Sequence, residues 1–129
     1  MSEGKKVKIS PVLMDDWFGK CPYATVQKLI SGKWAMLILH NLEDGPVRFN
    51  DLQRQLPKMT YATLSVQLKN LIEHGLVIRR QYESIPPWVE YSLSEIGQKF
   101  HPVLEAMEVW GKEYISYMKN NDSTEEGQV

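Results

Sequence analysis

Residues 50–74 read NDLQRQLPKMTYATLSVQLKNLIEH, and their pattern decides the fold. Asn50 is placed to cap a short helix from Asp51 to Leu56, whose buried stripe is Leu52 and Leu56, four residues apart. Pro57-Lys58-Met59 leaves room only for a tight connection. Thr60 caps a longer helix that runs to His74, and Gly75 follows in the position where a left-handed residue ends a helix. Leu64, Leu68, Leu71 and Ile72 recur there at three- and four-residue spacing and form its inward face.

The flanking sequence extends this pair. Upstream, Pro22 to Ile30 reads as a first helix, with proline where its missing N–H costs nothing and Val26, Leu29 and Ile30 on one face. Ser31-Gly32 interrupts it. Trp34 to Leu42 is almost wholly apolar, which predicts a helix at the centre of the core, and Asp44-Gly45-Pro46 breaks it. Val47-Arg48-Phe49 is a minimal strand. Downstream, Leu76 to Tyr82 and Trp88 to Leu93 alternate as strands, joined across Ser84-Ile85-Pro86-Pro87. Ser94 opens a last helix reaching about Tyr117. A short helix, a tight turn, a longer helix and then a hairpin is the chain order of a winged helix-turn-helix, a mainly α fold with a small β-hairpin.

The 129 residues are one domain's worth, 43% hydrophobic and 24% charged, as expected of a soluble globular protein. Residues 1–10 lack a hydrophobic period and read as a mobile arm. Residues 11–119 hold the winged domain with its dimerisation helices, and the polar residues 120–129 read as a disordered tail. No apolar run approaches the roughly 20 residues of a membrane span, and no signal peptide opens the chain, so a cytoplasmic address without a membrane partner is expected. The net charge of −1 conceals a segregation: residues 45–82 carry six basic residues against two acids, whereas residues 93–129 carry three lysines against seven acids. Such asymmetry suits one face for a polyanion and another part for something else.

The second helix of a helix-turn-helix presents its exposed face to the major groove. With Leu64 and Leu68 inward, Ala62, Thr63, Val66, Lys69 and Asn70 point out, and Tyr61, Ser65 and Gln67 stand at the edges. Gln67 and Asn70 can read adenine by paired hydrogen bonds, and Thr63 and Val66 can touch thymine methyls. Arg54, Lys58, Lys69, Arg79 and Arg80 are candidates for phosphate contacts, which set register rather than sequence preference. Arg79 and Arg80 are adjacent in a strand and must point to opposite faces. One is expected on DNA and the other paired with an acid such as Glu90. The wing tip, Glu83 to Pro87, is short and not basic, so its insertion into a minor groove should be shallow.

Ile96, Phe100, Val103, Leu104, Met107, Trp110, Tyr114 and Tyr117 make a stripe over about six turns, more than a winged-helix core can cover. The excess, with Trp17 and Phe18 from a small apolar cluster that also includes Val12, Leu13 and Met14, predicts a twofold dimer interface formed by Trp17, Phe18, Val103, Met107, Trp110, Tyr114 and Tyr117. Cys21, the single cysteine, stands at a helix N-terminus beside Lys20, which favours reactivity; a structural filler next to Pro22 is the alternative. His40, His74 and His101 do not fall at metal-ligand spacings. They read as a core-edge residue, a helix C-terminus and a helix surface, so neither a metal nor a cofactor is expected. No serine–histidine–acid set, phosphate loop or carboxylate pair points to an enzyme.

Taken together, Cys21-Pro22, Gly32-Lys33-Trp34, Asp44-Gly45-Pro46 with Arg48 to Leu52, Leu64 to Leu71 with His74 to Val77, Pro86-Pro87 with Val89 to Leu93, Gly97 and Trp110-Gly111 resemble the HxlR-type regulators, a branch close to the MarR winged-helix proteins. The resemblance runs from about residue 21 to 111. It implies a homodimer, built largely from the first and last helices, on a pseudo-palindromic operator in double-stranded DNA. It also implies that the Cys21 position matters, because several members of the family sense oxidants or electrophiles through a cysteine just before that proline, whereas others are regulators without a known redox role. Tyr61, Thr63 and Val66 occupy variable positions, which leaves the operator sequence open. The alternatives are a regulator controlled by a small-molecule effector and, in a different class, a winged-helix module that binds protein rather than specific DNA.

Overall fold

A computed structural model describes residues 17–128, with side chains through 122. The chain order is α1 (Pro22–Leu29), α2 (Ala35–Asn41), β1 (Val47–Arg48), α3 (Phe49–Gln55), α4 (Tyr61–Glu73), β2 (Val77–Tyr82), β3 (Trp88–Leu93), α5 (Glu95–Gln98) and α6 (His101–Gln128). The three strands form an antiparallel sheet in the order β1-β3-β2. This is a winged helix-turn-helix, with α3 and α4 as the helix pair and β2–β3 as the wing. The expected arm over residues 1–10, and Val12, Leu13 and Met14 of the apolar cluster, lie outside the described residues.

The core forms where the apolar periods converge. Ile38, Leu39 and Leu42 of the α2 region, Leu52 of α3, and Leu64, Leu68 and Leu71 of α4 are nearly inaccessible, and Tyr91 and Leu93 of β3 close the sheet side. Each such leucine or isoleucine contributes about 1.5–3 kcal/mol by leaving water. Although α2 is largely apolar, its burial is one-sided: Met36 and Leu37 remain exposed.

Local capping fixes the boundaries of α4. The Thr60 hydroxyl accepts from the Thr63 backbone N–H at 3.1 Å and so satisfies a first-turn donor. At the far end Gly75 takes φ +80°. Its N–H bonds to the Ile72 carbonyl and that of Leu76 to the Leu71 carbonyl, both at 2.9 Å, the paired bonds of a Schellman motif.

Three expectations need correction. Asn50 does not cap α3: Phe49 is already helical and Arg48 holds the cap position, because the β1–β3 pairing ends at Arg48 and the Phe49 ring turns in between Tyr61 and Tyr91. The last helix is not continuous from Ser94. Ser94 caps only the short α5, and α6 begins at His101. Pro102 explains the break, since in one unbroken helix its ring would collide with the Gln98 carbonyl and its missing N–H would leave that carbonyl unbonded. Finally, α6 continues past Tyr117 to Gln128, through a stretch whose composition reads as disordered.

Candidate nucleic-acid interface

The outer face of α4 carries Tyr61, Ala62, Val66, Lys69 and Asn70 in exposed positions, with Thr63, Ser65 and Gln67 half-buried. Their positions follow from the burial of Leu64, Leu68 and Leu71 on the opposite side of the same helix. Tyr61 is held by its ring, whose centroid lies 4.7 Å from that of Phe49. The Thr63 hydroxyl receives a hydrogen bond from Thr60 at 2.9 Å, so its methyl orientation is set by the cap. Gln67 is partly committed elsewhere. A Cβ on Gly32 would lie 2.6 Å from its Oε1, so the side chain packs against the α1–α2 connection. Asn70 is the more available amide.

The basic candidates divide by location. Lys58 is exposed in the turn between α3 and α4. Arg54 is exposed on α3 and ion-paired with Asp51. Arg79 and Arg80 face opposite sides of the sheet, standing across the β2–β3 ladder from Tyr91 and Glu90 respectively. Arg79 lines a shallow recess with Ser65 and Lys69 of α4, on the side of Tyr91. Arg80 lies on the other side, where its Nη1 donates to the Tyr82 hydroxyl at 3.3 Å and that hydroxyl donates to Glu90 at 2.9 Å. Arg79 therefore adjoins the α4 face, and Arg80 is tied to the Glu90 side.

Outside α4 the sequence reading missed two groupings. On the outer face of the sheet Arg48 sits over Trp88, its Cζ 3.8 Å from the ring centroid. Trp88 in turn stacks on Tyr82 at 4.0 Å. At the junction of α2 and α6, Glu43 bonds to both His40 and His101. His74 is the exposed C-cap residue of α4. The His40–Glu43 pair is local, three residues apart, but its link to His101 depends on which elements adjoin, as the Arg48–Trp88 contact depends on strand register. Among the described residues no cluster of histidine, cysteine and carboxylates is placed to hold a metal, and no helix is long and apolar enough to cross a membrane.

The long helix leaves much of its apolar surface uncovered. Phe100 and Leu104 pack against the core, and Val103 and Met107 are half-buried. Beyond them Val109, Trp110, Tyr114, Ile115, Tyr117 and Met118 are between 46% and 64% exposed. Trp110, Tyr114 and Tyr117 form a ladder, the first pair stacked at a centroid spacing of 5.3 Å and the second tilted at 5.5 Å. Trp17 is 64% exposed, and Phe18 is half-buried. Cys21, half-buried, holds the N-cap position of α1, with its carbonyl accepting from the Thr25 N–H at 2.9 Å and the Thr25 hydroxyl at 2.8 Å.

A family model for the HxlR-like helix-turn-helix matches residues 29–119. The chain belongs to the HxlR-like family. Across 100 residues it is 42% identical to the uncharacterized HTH-type transcriptional regulator YdeP of Bacillus subtilis, covering 78% of this chain and 77% of that protein. Among solved structures, the redox regulator HypR in its reduced form is 34% identical with a TM-score of 0.72, over 77% of this chain and 98% of HypR. The reduced transcriptional regulator YodB from B. subtilis is 30% identical with a TM-score of 0.66, over 73% of this chain and 93% of YodB. At the level of the family, this HxlR-like protein is a helix-turn-helix transcriptional regulator rather than an enzyme.

Proposed function

We propose that the protein is a sequence-specific regulator that binds a pseudo-palindromic operator as a homodimer and is released from it by oxidants acting on Cys21. The observation that carries the DNA reading is the exposed, acid-poor face of α4 with Lys69 on it and Arg79 beside it from the wing. On this reading Asn70, Val66, Thr63 and Ala62 meet base edges, with Tyr61, Ser65 and Gln67 at the margin. Lys58, Lys69, Arg54 and Arg79 neutralise phosphates, and Arg80 takes a lesser part because of its bond to Tyr82.

The uncovered aromatic ladder of α6 supports the dimer. A twofold pairing of Trp110, Tyr114 and Tyr117, with Val103, Met107, Trp17 and Phe18 around them, removes from water a patch that a monomer leaves open. Such a dimer brings two copies of α4 to two half-sites about one turn of DNA apart. The chain holds a single cysteine, so a disulfide at Cys21 requires a thiol from a second molecule, either the other protomer or a small thiol. Two thiols then lose two electrons and two protons to the oxidant. Similar structures bearing the names redox regulator HypR and diamide-treated YodB favour this form of control.

The test is a gel shift on the DNA upstream of the protein's own gene, over a salt series, with and without diamide. Binding that falls steeply with salt is expected, because each neutralised phosphate releases counterions. Flat or absent binding favours a protein-interaction module. Cys21→Ser is expected to bind as wild type when reduced and to resist diamide. Release of that variant by diamide removes the sensor role and turns the search to a small-molecule effector.

A further inference from the structure

The wing is tied to the recognition helix by a path that begins on the outer face of the sheet and crosses to its α4 side through the start of α3. Tyr82 and Trp88 are the last cross-strand pair of the hairpin before the loop, with ring centroids 4.0 Å apart and planes within 10° of parallel. On the middle strand, Trp88 is flanked across the sheet by Tyr82 of β2 and, diagonally, by Arg48 of β1. The Arg48 guanidinium lies 3.8 Å from the Trp88 ring centroid, the geometry of a cation–π contact. Arg48 is also the N-cap residue of α3, and the next residue, Phe49, packs against Tyr61 at the start of α4. The end of the wing and the first turn of α4 are thus joined by Tyr82, Trp88, Arg48, Phe49 and Tyr61 in succession.

An isolated two-stranded hairpin is marginal in water, and its far end frays first. Here that end is clamped to α3, the element that also sets where α4 begins. The clamp is not part of the core: Arg48 is exposed and Trp88 half-buried. Resting on the DNA-binding reading above, we infer that Arg48 and Trp88 are positioning residues. They hold the wing at a fixed angle to α4, so that phosphate contacts from the wing form together with base contacts from the helix.

The experiment compares wild type, Trp88→Ala and Trp88→Phe on one duplex selected by the wild-type protein from a random-sequence pool. Affinity is read across a salt series, with thermal melting alongside. Trp88→Ala is expected to bind about tenfold more weakly and to lower the salt slope by about 0.9, the loss of one phosphate contact. Trp88→Phe, which keeps a ring beneath Arg48, is expected to retain both. Unchanged affinity and slope in the alanine variant overturns the inference. A lower melting temperature and weaker binding with the slope intact also overturns it, because that is general destabilisation. If wild type selects no duplex or binds without salt dependence, the DNA reading itself fails, and that failure is visible in the wild-type arm alone.

Discussion

His101, the first residue of α6, and Glu43, just beyond α2, are bonded across the junction of the two helices, with Nδ1 2.6 Å from Oε2. Glu43 also meets His40 at 3.0 Å, and His101 Nε2 lies 3.1 Å from Glu105. This cluster joins the helix central to the core to the helix that bears the exposed aromatic ladder.

The cluster makes stability depend on pH with a definite sign. The hydrogen bond from His101, helped by His40, holds the Glu43 carboxyl below its ordinary 4.5 against the opposing effect of burial. The same bond, with the charge of Glu105, raises His101 above its ordinary 6.5. The Glu43 contribution is complete above 4.5 and is lost as pH falls through its depressed value; that of His101 is complete below 6.5 and is lost as pH rises through its raised value. Urea midpoints of wild type and His101→Gln are therefore expected to differ most at about pH 5–6, with the gap closing in alkali. A gap that stays constant from pH 5 to pH 9 refutes the assignment. The effect is small, since the histidine is exposed and screened by solvent.

Trp110→Ala tests the interface. The ring is 64% exposed in a single chain, so its loss should leave the folded domain intact. A buried tryptophan at a dimer centre typically carries about 2 kcal/mol or more, so dimer dissociation should strengthen roughly thirtyfold. Sedimentation at micromolar concentration measures this, and a variant as tightly dimeric as wild type removes Trp110 from the interface.

Asn70→Ala and Lys69→Ala should separate reading from anchoring. Asn70→Ala is expected to cost about 1–3 kcal/mol on the preferred duplex and to relax preference at one base pair. Lys69→Ala should weaken all duplexes alike and reduce the salt slope by about one. Titrating both variants against single-base operator mutants distinguishes the two patterns; identical profiles contradict this division of roles.

Gly97→Ala addresses how α5 seats on the wing. A Cβ at this buried glycine would fall 2.2 Å from the Leu76 carbonyl oxygen, an atom already bonded to the Ser94 N–H. Backbone on both sides must shift, and a loss of about 1–3 kcal/mol is expected in urea unfolding. Unchanged stability means that α5 can slide without cost.

By itself the sequence determined the helix pair and the wing. The Leu64, Leu68, Leu71 period, the Thr60 cap, the Gly75 stop and the alternation around Tyr91 and Leu93 all appear in the structure as read. These features are legible because helix periods, caps and turns depend on residues only a few positions apart. Pro102 is an equally local signal for the break between α5 and α6, masked by the apolar stripe that runs through it from Ile96 to Tyr117. Only the tertiary structure decided that Gln67 packs against Gly32, that Arg79 rather than Arg80 adjoins α4, that Arg48 stacks on Trp88, and that Glu43 lies between two histidines. The physical reason is that each depends on which element lands opposite which, and in what register, and a one-residue slip reverses every side chain of a strand.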